Sequence, residues 1–199
     1  MKDKNIIAFF DFDGTITKRD TLLPFLLYCF GIKKCILGFL RLFPILFLYK
    51  SKITSNHKAK EQVFSYFFKG KSKTDITQYS KKFNIEVIPK LLKNSAIAKI
   101  KWHKYKGHRV VIVSASVEEY IKFFAESFNV EYIGTKLKYQ DALFVGNFEG
   151  KNCYGQEKVE RINDYIDLSE YDESYGYGDS QGDKEMLGIC TKSNFRIFK

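Results

Sequence analysis

The sequence predicts an α/β protein, a Rossmann-like parallel sheet with an all-helical subdomain inserted into it. Three observations carry that expectation. Two short runs, "IIAFF" at 6–10 and "RVVIV" at 109–113, are apolar without a break, as strands buried on both faces are. From residue 95 onward, strand-like and helix-like stretches alternate, which is the rhythm of parallel β–α–β units. The interval 16–88 holds several helical stretches and no convincing strand, and it is too long for one crossover helix. The core is therefore expected over 1–15 and 89–199, with a helical subdomain over 16–88.

Each element follows from local pattern. "SAIAKIKWHKYKG" reads as a helix with Ser95 near its start and Gly107 as its stop. "VEEYIKFFAESF" carries apolar residues at 117, 120, 121, 124 and 128, a helical stripe. "EYIGTKLKYQDALFVGNFEG" alternates and turns at Gln140-Asp141, which predicts a hairpin. "EKVERINDYI" is helical, and "SYGYGDS" and "NFRIF" read as short strands.

Residues 21–49, "TLLPFLLYCFGIKKCILGFLRLFPILFLY", are unusually apolar. A membrane span needs about 18–20 residues without charge, and Lys33, Lys34 and Arg41 interrupt the run. Pro24, Gly31, Gly38 and Pro44 are expected to break helices. Two short helices packed on the core is the first reading. A helical hairpin dipping into the membrane surface, with Lys33, Lys34, Arg41 and Lys50 at headgroup level, is the second.

At 199 residues and 45% hydrophobic, the chain is long and apolar enough to bury a core. The four cysteines are scattered, without a CxxC pair, and His57, His103 and His108 form no ligand spacing with them. A zinc site or a disulfide framework is not expected, and a reducing compartment, the cytoplasm, fits best. The start of the chain is too quickly charged for a signal peptide. The formal charge of +10 would attract anions such as phosphorylated substrates, acidic lipid or nucleic acid, but a Lys-rich bias spread over a solvated surface is the preferred reading. The lysines are dispersed, arginines are few, and no basic aromatic stripe stands out, so no nucleic-acid partner is expected.

The polar residues that packing does not explain lie at strand ends. In "FFDFDGT", Asp11 and Asp13 follow a buried strand directly. Carboxylates are costly to bury and repel each other, and a polar turn would account for Asp13-Gly14 but not for Asp11. Ser114 follows "RVVIV", Lys158 opens a helix in "GQEKVERI", and Asp179 and Asp183 lie in "YGDSQGD". Each has an ordinary structural role open to it: Ser114 as a helix N-cap, Lys158 as a solvated lysine, Asp179 and Asp183 as turn residues. In an open parallel sheet, however, ligands bind beyond the carboxyl ends of the strands, where Asp11, Ser114 and Asp179 would converge.

In these motifs the chain resembles the haloacid dehalogenase superfamily of aspartate-nucleophile phosphatases. "DFDGT", Ser114, Lys158 and "GDSQGD" stand in the order of that superfamily's four motifs. The helical insertion after the first motif and the hairpin "LKYQDALFVGNFEGK" resemble its phosphoserine-phosphatase-like branch. The resemblance implies Asp11 as nucleophile, forming an aspartyl-phosphate, and Asp13 as the acid and base for leaving group and water. It implies Mg²⁺ held by Asp11, the backbone carbonyl of Asp13, and Asp179. A carboxylate approaching a phosphate is opposed by about 4 kcal/mol per unit-charge pair at 4 Å, which such an ion would offset. Ser114 and Lys158 would bind phosphate, and Asp183 would support Lys158 or a metal-bound water.

The substrate is less determined. Asp20 falls where phosphoserine phosphatases carry a substrate-reading Glu; the shorter Asp is a departure, and its alternative role is N-cap of the first inserted helix. No Arg of the insert aligns to take a serine carboxylate. The apolar insert and the third motif "CYGQEK" at 153–158 resemble C-type bacterial phosphatidylglycerophosphatases. The expected function is Mg²⁺-dependent hydrolysis of a phosphomonoester, with a lipid phosphate and a small soluble ester such as phosphoserine as alternatives. Peripheral contact with an anionic membrane, at its inner face, follows from the first alternative. A non-catalytic basic membrane- or nucleic-acid-binding module on the same scaffold is a further reading, opposed by a competent residue at every motif position.

Overall fold

The structure, a computed structural model, describes residues 4–199. Strand β1 (Ile6–Phe10) sits inside a six-stranded sheet of order β4-β3-β2-β1-β5-β6. It pairs in parallel with β2 (Arg109–Val117) on one side and β5 (Glu173–Gly178) on the other. Ile7, Ala8, Phe9 and Phe10 have no exposed surface, which is what the unbroken apolar run requires. Strands β3 (Glu131–Gln140) and β6 (Lys192–Phe195) extend the parallel sheet, and β4 (Leu143–Glu149) closes one edge antiparallel to β3.

Alternate residues of β1 feed two cores. Ile7 and Phe9 join Val111, Val113 and Ile133 under α7 (Gln156–Tyr165) and α8 (Lys184–Gly188), through Ile162 and Met186. Ala8 and Phe10 join Val110 and Ile112 under α5 (Asn94–Tyr105) and α6 (Glu118–Phe128), through Ile100 and Phe124. Helices therefore cover both faces.

The interval between β1 and β2 folds into α1 (Leu22–Lys50), α2 (Asn56–Phe68), α3 (Lys73–Glu86) and α4 (Ile88–Leu91). The chain leaves and returns through a short antiparallel tie, with Lys18 N–H donating to Leu91 O at 2.8 Å and Lys93 N–H to Ile16 O at 2.9 Å. The inserted helices share the second core rather than forming one of their own. Phe25 packs against Phe68, Phe83 and Tyr120 at ring-centre distances of 5.5, 5.1 and 5.0 Å, and Tyr120 belongs to α6. Backbone bonds tie the α2–α3 turn to β4: Gly70 N–H to Phe144 O at 2.8 Å and Phe144 N–H to Lys71 O at 2.9 Å.

Residues 21–49 depart in part from the first reading. Of the four expected breakers only Gly31 breaks the helix, with φ of 72° and ψ of 168°. Pro24 lies in the first turn, where a missing N–H costs little. Gly38 permits close packing, since a Cβ there would meet the Phe67 ring at 2.4 Å. Pro44 lies inside the second arm, residues 32–50. That arm buries only Cys35, Gly38 and Leu42. Ile36, Leu40, Phe43 and Phe47 point outward, 55% to 68% exposed, so of the two helical arms that Gly31 divides, the first packs on the core through Phe25 and Leu26 and the second packs through one face only.

Three smaller differences have local causes. Strand β2 runs through Ser114 to Val117, so Ser114 is a strand residue and not a helix cap; Val117 precedes α6. The hairpin turns at Asp141-Ala142, both at positive φ (48° and 63°), the geometry of a two-residue turn that follows strand twist. The last strand is Lys192–Phe195, ending where Arg196 takes φ of 55°.

Candidate active site

Asp11, Asp13, Asp20, Ser114, Lys158, Asp179 and Asp183 all line one cleft of about 520 Å³ at the carboxyl ends of β1, β2 and β5. The strands place the groups. Asp11 is the first residue beyond β1, its N–H held by Tyr177 O of β5 at 2.9 Å. Ser114 sits in β2, and Asp179 follows β5 directly. Lys158 comes from the first turn of α7 and is buried to 1% exposure.

The Lys158 ammonium spends all three donors, on Asp11 Oδ1, Asp183 Oδ1 and Val113 O, each at 2.7 Å. Burial pulls the Lys158 pKa down, but Asp11 and Asp183 outweigh it and hold the group above its usual range, so it stays charged. Asp183 is locked further by Ser180, whose N–H and hydroxyl donate to Oδ2 at 2.9 and 2.8 Å. Although burial raises its pKa, Lys158 and these bonds bring it below the ordinary value. Asp11 has no side-chain donor but this one shared lysine among the described residues. Burial pushes it up to about 7, against the pull of Lys158. Its Oδ2 has no hydrogen-bond donor among the described residues.

Asp13 is held by a different set of groups. Its Oδ1 accepts from Thr21 N–H at 2.8 Å and Thr21 Oγ1 at 2.6 Å, and its Oδ2 accepts from Ser116 Oγ. Tyr120 OH donates in turn to Ser116 Oγ at 2.5 Å. Burial, then the nearby Asp20 charge, raises the Asp13 pKa. Asp20 accepts Leu22 N–H at 2.7 Å just ahead of α1, whose N-cap position is Thr21, while also facing the cleft.

The carboxylates fit a hard divalent cation. One oxygen from each of Asp11, Asp179 and Asp183 lies within 4.8 Å of the others. Oxygen-only donors in this number suit Mg²⁺, which completes its shell with water. Gly14 makes room for the arrangement: at φ of 78°, a Cβ there would stand 2.3 Å from Asp179 Oδ2. Burial raises the pKa of Asp179, partly offset by Thr15, whose hydroxyl donates at 3.2 Å. A bound cation would favour the charged form of both acids.

A family profile for haloacid dehalogenase-like hydrolases matches residues 8–188. The chain belongs to that family. It is 32% identical over 201 residues to Protein CicA of Caulobacter vibrioides, covering 100% of this chain and 89% of the relative. A protein of unknown function from Bordetella pertussis Tohama I has the same fold, with a TM-score of 0.80, 22% identity, and coverage of 96% of this chain and 89% of that one. A phosphoserine phosphohydrolase-like protein from Francisella tularensis subsp. tularensis SCHU S4 superposes with a TM-score of 0.64, 22% identity, and coverage of 96% and 85%.

Sequence reasoning about this haloacid dehalogenase-like hydrolase missed the residues that hold the acids. Thr21 and Ser116 hold Asp13, with Tyr120 bonded behind Ser116, and none of the three stands out in the sequence pattern. Lys93 donates to Gly14 O at 2.5 Å, and Lys60 of α2 reaches Ala115 O at 2.8 Å; both line the cleft, and neither stands in a motif. A larger groove of 780 Å³ beside β3 and α7 lacks this chemistry, and its Arg161 is already engaged by Glu157 at 2.9 Å.

Proposed function

We propose that the protein is a Mg²⁺-dependent phosphomonoester hydrolase working through an aspartyl-phosphate on Asp11. The observation that carries this is the buried Asp11–Lys158–Asp183 triple, which fixes one oxygen of Asp11 and leaves the other unpartnered. A group so held is pre-aimed, and the lysine offsets the charge that would repel a phosphate. Asp11 Oδ2 attacks phosphorus, the bond to the ester oxygen breaks, and Asp13 protonates that oxygen as it leaves. Asp13 then takes a proton from water, which attacks the phosphorus and releases phosphate and free Asp11. Ser114 would orient a phosphate oxygen through its hydroxyl, and Lys158, whose three donors are taken, would attract the phosphate through its charge. Asp11, Asp179 and the Asp13 carbonyl would hold the metal, with Asp183 beside them. Mg²⁺, when bound, supplies positive charge that lets carboxylate and phosphate approach.

Residues 16–88 serve in this reading as the cap that covers the cleft and selects the leaving group. A cytoplasmic location suits the four free thiols. The exposed apolar arm beside the cleft favours a lipid phosphate such as phosphatidylglycerophosphate. The fold it shares with a phosphoserine phosphohydrolase-like protein supports a small soluble ester as the second reading.

The experiment is a phosphoenzyme trap with an activated aryl phosphate and Mg²⁺. Wild type should turn over and stop in excess chelator. Asp13→Asn should accumulate label on Asp11, because the good leaving group needs no acid while hydrolysis still needs a base. Label on Ser114 or Ser116, or full turnover by Asp11→Asn, would refute the mechanism.

A further inference from the structure

The second arm of α1, residues 32–50, has two apolar faces. Cys35, Gly38 and Leu42 face α2, where Gly38 allows the Phe67 and Tyr66 rings to approach. Ile36, Leu40, Phe43 and Phe47, spaced by four, three and four residues, form a second stripe that touches solvent. Together with Leu23 and Leu27 of the first arm, the upper part of that stripe borders an apolar trough of about 450 Å³. Leaving such a stripe in water is costly, and patches of this kind mark interaction surfaces.

Charge identifies the partner. Between Thr21 and Lys60 the chain has no Asp or Glu, yet it carries Lys33, Lys34, Arg41, Lys50, Lys52, Lys58 and Lys60. Lys33, Lys34, Arg41 and Lys50 are all exposed on the arm itself. An apolar stripe whose own helix carries cations and no acid matches an anionic bilayer, whose acyl region takes the rings and whose headgroups take the ammonium groups. By length and composition α1 could cross a bilayer, with 22% of its most apolar stretch buried, but one face of the arm packs on α2 and Arg41 stands in its middle, which favours lying on the surface.

Position links this surface to the cleft. Tyr49, two residues beyond Phe47, lines the cleft, and its hydroxyl accepts from Asn56 Nδ2 at 2.9 Å. Lys60 lines it too. We infer that the stripe Ile36–Leu40–Phe43–Phe47 seats the protein on an anionic lipid surface with the mouth of the cleft at headgroup level. Substrate then arrives within the bilayer plane and presents its phosphate from the headgroup layer. The substrate part of this inference rests on the phosphohydrolase reading above; the docking part does not.

The test is co-sedimentation with vesicles of phosphatidylglycerol mixed into phosphatidylcholine, beside vesicles of phosphatidylcholine alone. Asp11→Asn serves as a second bait, so that recruitment is read without catalysis. Both proteins should bind the anionic vesicles and release as salt rises, since the Debye length falls from about 10 Å at 0.1 M to about 3 Å at 1 M. Leu40→Ser/Phe43→Ser/Phe47→Ser should lose recruitment while keeping wild-type turnover of a soluble aryl phosphate. Lys33→Gln/Lys34→Gln/Arg41→Gln should weaken it by about fivefold per charge removed. Should the serine variant fail to fold, Phe43→Trp in a Trp102→Phe background gives an independent reading, with emission shifting to the blue on anionic vesicles. No recruitment of wild type, equal recruitment of the serine variant, or an unshifted emission spectrum from the Phe43→Trp protein would overturn the inference. So would a lipid-free dimer that the serine substitutions convert to monomer, because a second copy would then be what covers the stripe.

Discussion

The acid-lined cleft and the second arm of α1 invert the usual rule of burial in opposite ways. In the cleft, charged groups are buried: Asp11, Lys158 and Asp183 are 5%, 1% and 1% exposed. In the arm, Leu40, Phe43 and Phe47 lie open to water. Burying charge is tolerable where partners are at hand, and Lys158 meets that condition with three bonds of 2.7 Å, while Asp11 keeps one oxygen free. Exposing apolar surface has no internal compensation, so it points outside the molecule. The contrast teaches that misplaced polarity is informative in both directions, and that the two cases should fail differently when altered.

The largest effect is expected at the buried triple. Lys158→Met should leave two carboxylates without a cation, destabilise the fold by about 3–5 kcal/mol and reduce turnover by about a thousandfold or more. Chemical denaturation and steady-state kinetics measure the two parts; a variant as stable as wild type would mean that the triple is not under electrostatic stress. Next comes the aromatic cluster of the inserted helices. Phe68→Ala removes a fully buried ring packed on Phe25, Phe30 and Phe64, and should cost about 3–5 kcal/mol. A single cooperative transition in both proteins is expected, because insert and core share one hydrophobic cluster. Two separate transitions would break that picture.

A moderate effect is expected at His103. It is fully buried, with Nε2 at 2.9 Å from Tyr177 OH and Nδ1 at 2.8 Å from His108 Nδ1, and burial holds its pKa down at about 3 against 6.5 for a free group. The folded state therefore refuses a proton that the unfolded state accepts below pH 6.5. Its contribution is intact above 6.5 and is lost as pH falls toward 3, by at most about 1.4 kcal/mol per pH unit. His103→Asn should flatten the stability profile over that window relative to wild type; parallel profiles would show that His103 does not stay neutral. The smallest effect is expected on the arm. Leu40→Ser and Phe43→Ser should shift unfolding free energy by no more than about 0.5 kcal/mol in the absence of lipid. A loss comparable to that of Phe68→Ala would mean that the stripe is covered in solution.

The chain order of residues determined much of this protein. Unbroken apolar runs marked β1 and β2, because a strand buried on both faces admits no polar residue. Acids placed directly after such a run marked the cleft, because packing cannot justify them; all seven sequence-predicted site residues line it. Other features were beyond sequence reasoning. Gly31, Gly38, Pro24 and Pro44 look alike as helix breakers, yet only Gly31 breaks, since the others depend on position within the helix and on what packs against it. Thr21 and Ser116 meet Asp13 from two stretches far apart in the chain, with Tyr120 bonded behind both, and no spacing in the chain encodes that meeting. Which face of residues 32–50 touches solvent was likewise undetermined, because that arm is apolar nearly all round and carries no periodic signal to choose a side. The choice was made by α2, whose Phe67 and Tyr66 fit against Gly38 and leave Leu40, Phe43 and Phe47 facing outward.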